Sequence, residues 1–358
     1  MKKILGMGNA LVDIMIPLDD FQVLEKLELP KGSMQLIDKD RNRQILSLLK
    51  DNKRSQSSGG SAANTIHGIA TLGGSTGYIG AIGEDELGGF FVRELINAGV
   101  EPHLIHSKEE TGRAITLVTP DSERTFATFL GAASELSVVS SQQSAVGSRQ
   151  SAVTDHQLPV GSQQSAVSSP VINSDIFPRY DYFHMEGFLV QDHNLVETTL
   201  KLAKECGLIV SIDLASYNVV EANREFLHSV LEKYVDIVFA NEEEAKAFSG
   251  KEPVEALKEL ATKCEIAIVK IGSKGSLIMQ GSEIVEIGAI PANPIDTTGA
   301  GDLYASGFLY GHSQGMPIRP CGEIGAILAG NVINVMGSKM TPMQWNNIRQ
   351  LLGIHRLV

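Results

Sequence analysis

Cysteine is scarce in this chain. Cys206, Cys264 and Cys321 are the only three, and they lie far apart. An odd, scattered set offers neither a disulfide framework nor the paired spacing of a zinc site, and it fits a reducing compartment. Positive charge is also short, with 30 Lys and Arg against 42 Asp and Glu and a formal net charge of −12. That balance argues against nucleic acid or an anionic membrane as partner, while still allowing a local basic pocket for phosphate. No apolar run approaches bilayer length without a glycine or a charge. The opening Met1-Lys2-Lys3-Ile4-Leu5 begins like a signal peptide, but Asn9 and Asp13 interrupt its apolar run, so a cytoplasmic protein is expected. G-x-x-x-x-G-K-[ST] is missing too, which excludes a P-loop as the means of holding phosphate. The residues that are plentiful suit a soluble core: 43% hydrophobic residues and 35 glycines in 358 residues, enough for one large α/β domain or two smaller ones.

Residues 2–8 read as a buried strand that continues through 9–14, and helices are expected at 39–50 and from 61 through 72. Gly83-Glu84-Asp85-Glu86-Leu87-Gly88 reads as a strand-to-helix turn with Asp85 as cap. The runs 114–119 and 125–130 flank Pro120-Asp121-Ser122-Glu123 as a hairpin would. From residue 180 onward, strands at 180–185, 209–213, 235–240 and 267–270 alternate with helices, among them 194–206 and 219–232. This βαβα rhythm predicts a mostly parallel sheet covered on both faces. Between these halves, residues 141–168 divide into four seven-residue units such as Ser-Gln-Gln-Ser-Ala-Val-Gly. Their apolar residues are adjacent rather than spaced as in a coiled coil, and Ser, Gly and Pro form helix poorly. A low-complexity insert, a disordered loop over about 137–173, is expected.

The densest cluster of chemistry is Asp296-Thr297-Thr298-Gly299-Ala300-Gly301-Asp302, which leads into an apolar helical pattern. Glycines let backbone N–H groups converge, and a helix start adds unpaired donors and partial positive charge, a combination that suits phosphate. Asp302 inside such a site reads either as a general base or as a simple complement to the helix dipole. Asn241-Glu242-Glu243-Glu244 opens another helix; Asn241 and Glu244 stand one turn apart, as cap and as a carboxylate able to hold hydrated Mg²⁺, or merely as good capping.

The D-T-T-G-A-G-D stretch resembles the C-terminal signature of the PfkB (ribokinase-like) family of carbohydrate and nucleoside kinases. Asn9 with Asp13, Gly59-Gly60 followed by Asn64, and Asn241 with Glu244 agree with that family in order and spacing. The resemblance implies an α/β ribokinase-like fold: a central, mostly parallel sheet flanked by helices on both faces, with a small β lid from about 14–38 and 102–131. It implies transfer of the ATP γ-phosphoryl group to a primary hydroxyl, with Asp302 as base and the N–H groups of Gly299, Ala300 and Gly301 as anion hole. Asn9, Asp13, Gly59, Gly60 and Asn64 would meet the acceptor's hydroxyls, and Glu186 ends the strand that begins at 180, where a strand C-terminus should face an α/β site. Gln35, Leu130 and Phe188 would pack around the acceptor; Phe188 either stacks on a purine or fills core, and Gln35 either meets the acceptor or is an exposed lid residue. Asn241, Lys270, the Gly272–Gly275 turn and Thr298 would serve the nucleotide, and Glu244 would hold Mg²⁺ through water. Family ribokinases also bind a monovalent cation near the positions of Asp296 and Thr298, so K⁺ is a further expectation. Ser61 stands where many ribokinases have lysine, and the chain is most similar to adenosine-kinase-type members, giving AMP from adenosine; a ribokinase or other sugar kinase is the alternative, and a non-catalytic nucleoside-binding protein a remoter one. Monomers and lid-mediated homodimers both occur in the family.

Overall fold

The computed structural model describes residues 2–121, 123–139 and 172–354. Almost all of the repeat insert expected at 137–173 lies outside the described residues. Its two ends, Val138–Val139 and Ile172–Asn173, pair as a short parallel ladder.

Short runs of β-branched and aliphatic residues build a nine-stranded sheet. Its spatial order is Glu283–Ile287, Ser276–Gln280, Ile266–Lys270, Ile237–Asn241, Ile209–Asp213, Tyr182–Glu186, Ile4–Met7, Thr76–Gly83 and Val100–Ser107. Neighbours are parallel throughout, except that Ser276–Gln280 runs antiparallel to the strand on either side of it. Side chains alternate between faces along each strand, and the core divides accordingly. Ile237 and Phe239 join one apolar cluster with Ile66, Phe308 and Leu328, whereas Val238 and Ala240 join another with Leu200, Leu227 and Phe248. Each face is thus covered by helices: Ser61–Thr71, Ala300–Ser313 and Ile318–Val332 on the first, and His193–Glu205, Arg224–Tyr234 and Glu242–Ser249 on the second. No helix among the described residues is long and apolar enough to cross a membrane.

The chain does not continue as one strand through residue 14. It leaves the large sheet after Met7 and enters a second, five-stranded sheet at Leu11–Pro17. Gly8 allows the switch, because a Cβ there would lie 2.2 Å from the Glu186 carboxylate. The small sheet runs Met34–Leu36, Arg124–Phe129, Gly112–Val118, Leu11–Pro17 and Ser55–Gly59. The expected hairpin is present with an antiparallel register from Arg113↔Phe129 to Val118↔Arg124. The small sheet differs from the expected lid in two places. Residues 100–107 pair in the large sheet rather than the small one, and Ser55–Gly59, polar and rich in serine, completes the small sheet by pairing with Leu11–Met15. Asp85 caps its helix as expected, accepting from the Gly88 N–H at 2.8 Å.

Two glycines of this fold make opposite predictions. A Cβ on Gly307 would meet the backbone of Ile324 and Gly325 on the adjacent helix at 2.7 Å, and backbone cannot rotate aside. Gly307→Ala is expected to destabilise by about 1–3 kcal/mol through overpacking. Gly89→Ala, where a Cβ meets only the flexible end of Arg93 at 3.3 Å, is expected to be neutral or stabilising. Thermal melts of the two variants beside the unsubstituted chain check this.

Candidate active site

The candidate site residues gather at the carboxyl ends of the parallel strands, where an open α/β sheet places its ligands. Glu186, Asp213, Asn241 and Lys270 are the last residues of four adjacent strands, with Glu186 in register with Asp213 and Asn241 with Lys270. Over these ends lies a cavity of about 1780 Å³, large beside the roughly 300–1,000 Å³ of a single-ligand pocket. Its walls come from both sheets, and it has room for two ligands side by side.

Two helix N-termini converge on the middle of this cavity. Gly299 stands at the start of Ala300–Ser313 with φ +77°, and Gly60 at the start of Ser61–Thr71 with φ +94°, conformations that glycine adopts without penalty. The helices touch where a Cβ on Gly68 would lie 2.1 Å from Ser306 Oγ. Asp302, in the first turn of one helix, accepts hydrogen bonds from the first turn of the other: from Ser61 Oγ at 2.7 Å and from Asn64 Nδ2 at 2.9 Å. Ser338 Oγ donates to Asn64 Oδ1 at 3.0 Å, which fixes the amide so that its nitrogen faces Asp302. Burial pushes the Asp302 carboxyl up to about 6; the bonds from Asn64 and Ser61 act in the opposite direction, Asp213 adds to the rise and Lys270 reduces it. Of the three N–H groups expected to form an anion hole, that of Ala300 is engaged by the Thr297 carbonyl at 3.2 Å. Those of Gly299 and Gly301 have no partner among the described residues.

On the side toward the small sheet, Asn9 and Asp13 line the cavity. Glu186 lines it as well, but its carboxylate is spent inward, accepting from Asn9 N–H at 2.9 Å, Asn9 Nδ2 at 2.7 Å and Ala62 N–H at 3.1 Å. It therefore orients Asn9 and the helix start rather than standing free for an acceptor. Burial raises it to about 7. Asp13 has no hydrogen-bond partner among the described residues and is raised to about 7, first by burial, with Lys339 opposing and Asp302 reinforcing. Gly59 lies outside the cavity wall and serves Asp13 instead, since a Cβ there would overlap its carboxylate at 2.2 Å. Gln35 is a correction. The alternation of its strand turns it away, and its neighbours Met34 and Leu36, 40% and 52% exposed, line the cavity in its place. Leu130 and Phe188 line it as expected.

On the other side, Asn241, Glu244, Lys270, Gly272, Gly275 and Thr298 line the cavity together with Ala300, Gly301 and Asp302. Asn241 and Glu244 form a reciprocal capping box, and burial followed by the nearby Asp213 raises the Glu244 carboxyl. Lys270 Nζ bonds Asp213 at 2.7 Å; burial opposes its charge, but Asp213 and Glu244 more than compensate, and its pKa is raised. Asp296 lies behind the wall, in an ion pair with Arg124 and accepting from Thr298 N–H at 2.7 Å.

Three contributors escaped the sequence reading as site residues. Asp213 was visible as an acid ending a buried strand. Ser61 was visible only as a replacement for lysine, not as a donor to Asp302. Lys339 lines the cavity beside Asp13 and forms no hydrogen bond or ion pair with the described residues; burial lowers it to about 8. No local pattern marks it.

Residues 32–169 and 156–345 match the pfkB family carbohydrate kinase pattern. A 5-dehydro-2-deoxygluconokinase of Geobacillus kaustophilus is 27% identical over 314 residues, spanning 83% of this chain and 85% of its own length. Among solved structures, the adenosine kinase from Sinorhizobium meliloti is 31% identical with a TM-score of 0.80 over 98% of this chain and 99% of that one. A probable sugar kinase protein from Rhizobium etli CFN 42 is 30% identical with a TM-score of 0.80 over 99% of each. The α/β architecture is the one expected from the motifs, a large and mostly parallel sheet flanked by helices. With its motifs, its fold and its relatives in agreement, this chain belongs to the pfkB family of carbohydrate kinases and is a phosphotransferase acting on a hydroxyl of a sugar or nucleoside.

Proposed function

We propose that the acceptor is a nucleoside, adenosine before others, and that its primary 5′-hydroxyl receives the γ-phosphoryl group of ATP. The observation that carries this reading is Asp302. It is a partly buried carboxylate at a helix start, held by Ser61 and Asn64 at the wall of a cavity with room for two ligands. Met34, Leu36, Phe126 and Phe188 line the cavity with apolar surface suited to the face of a base, and Asp13, in the same wall, suits ribose hydroxyls.

In this mechanism Asp302 takes the proton of the attacking hydroxyl, and its raised pKa places it close to the pH of operation. The free N–H groups of Gly299 and Gly301, with the positive end of their helix, hold the transferring phosphoryl oxygens. Lys270 lies beside Gly301, where a Cβ would be 3.0 Å from its ammonium, and adds charge on the same side. Glu244 and Asp213 would hold Mg²⁺ through water, and the ion would supply positive charge for the transferring phosphoryl group. The residues present fit such an ion only through water. Glu244 and Asp213 leave Lys270 outnumbered by oxygen donors, yet no cluster among the described residues supplies three direct ligands.

A second reading, an acidic sugar as acceptor, is favoured by the unpaired ammonium of Lys339 beside Asp13. ADP release with adenosine, ribose, fructose, fructose 6-phosphate and gluconate separates the two. The strongest signal is expected with adenosine, and a preference for gluconate that disappears in Lys339→Met would replace the first reading by the second.

Asp302→Ala is expected to lower kcat by about 10²–10⁴-fold with acceptor binding retained, which steady-state rates and calorimetric titration measure together. The rate should climb with pH along an acid limb near 6, since Asp302 must be ionised. Asn64→Ala removes a bond that favours the carboxylate, so its limb is expected at higher pH; an unmoved limb would assign the titration to another group.

A further inference from the structure

The family expectation of a monovalent cation near Asp296 and Thr298 meets a site already filled. Both carboxylate oxygens of Asp296 are committed. Oδ1 accepts from Thr298 N–H at 2.7 Å, and Oδ2 accepts from Gly337 N–H and pairs with Arg124 Nη2. The side-chain oxygen of Thr298, Oγ1, accepts from Arg124 Nη1. One guanidinium therefore spans the side-chain oxygens of Asp296 and Thr298 where the cation is expected, with the Asp296 side chain 1% exposed and that of Arg124 11%. The far side of the turn is held as well, for the Ile333 carbonyl accepts from Ile295 N–H at 2.7 Å and Asp296 N–H at 3.2 Å. A potassium ion needs several oxygens with lone pairs to spare, and a planar fork with fixed N–H groups satisfies this carboxylate and hydroxyl without one. The charge arrives from the other sheet, because Arg124 opens the small-sheet strand Arg124–Phe129.

We propose that Arg124 is a built-in substitute for a monovalent cation: its guanidinium neutralises Asp296 and fixes the Asp296–Gly299 turn that presents the anion-hole N–H groups, so the chain works without K⁺ and acquires a K⁺ site when the guanidinium is removed. The proposal rests on the reading of that turn as the phosphate-holding element, and Arg124 acts through it as a positioning residue.

The test uses the full chain and Arg124→Ala, with KCl exchanged for tetramethylammonium chloride at constant ionic strength. Melting midpoint and ADP formation are both read, and crystals of each protein are soaked with Tl⁺, a K⁺ mimic visible by anomalous scattering. The unsubstituted chain is expected to show the same midpoint and rate in both salts, and no Tl⁺ beside Asp296. Arg124→Ala is expected to lose about tenfold or more in rate in tetramethylammonium, as suits a buried charge left without its partner, and to recover several-fold with KCl. It should also gain a K⁺-specific rise in melting midpoint and bind Tl⁺ against Asp296. Arg124→Lys, which keeps the charge, should stay less responsive to K⁺ than Arg124→Ala and guards against a variant that merely folds badly. Tl⁺ at Asp296 in the unsubstituted chain, or K⁺ stimulation of it, would overturn the proposal, as would an Arg124→Ala protein that binds no Tl⁺ there. Ion binding and melting need no turnover, so a wrong acceptor would leave these readouts intact while silencing ADP formation.

Discussion

Everything at the centre of this molecule depends on keeping one partly buried carboxylate, Asp302, able to ionise. Burial alone would neutralise it, because an ionised group without partners is expensive to remove from water. The fold answers with two helix starts brought together, each contributing its positive end, and with Ser61 and Asn64 as donors. That convergence sets other choices in turn. Gly68 must be small so that the helices can meet, Gly60 and Gly299 must turn where other residues would strain, and Ser338 must hold the Asn64 amide the right way round.

Around this point the same problem recurs, and the solutions differ with position. Glu186 spends its oxygens on Asn9 and Ala62, so it is structural although it touches the cavity. Asp213 takes Lys270 as partner. Asp13 is left unpaired at the wall, next to an equally unpaired Lys339. Carboxylates whose bonding is complete hold the scaffold, and those left incomplete face the space where ligands come.

The large sheet and the Asp296–Asp302 loop were legible in the sequence for physical reasons. Parallel strands buried on both faces leave continuous apolar runs, and a glycine-rich helix start with an acid in it is short and local. The capping box at Asn241 and Glu244 and the cap at Asp85 were readable on the same ground, being set within four residues. The small sheet was less readable. Ser55–Gly59 has no apolar pattern and is a strand only because Leu11–Met15 lies beside it. Gln35 was misplaced because one step of register reverses the face of a strand, and nothing local fixed which of Met34, Gln35 and Leu36 would look inward. Lys339 and the pairing of Arg124 with Asp296 join segments far apart in the chain, and no spacing rule reaches that far.

The acids raised by burial make the site a burden on the fold as well as its working part. Asp13 and Glu186 titrate near 7 and Asp302 near 6 in the folded chain, against 3.8 to 4.5 when exposed. A group that binds its proton more tightly when folded lends stability below its unfolded pKa and withdraws it as pH rises through the folded value. Between about pH 4 and 7 these three therefore weaken the protein step by step as they ionise. The molecule is least helped by its own active site under the conditions in which that site can work.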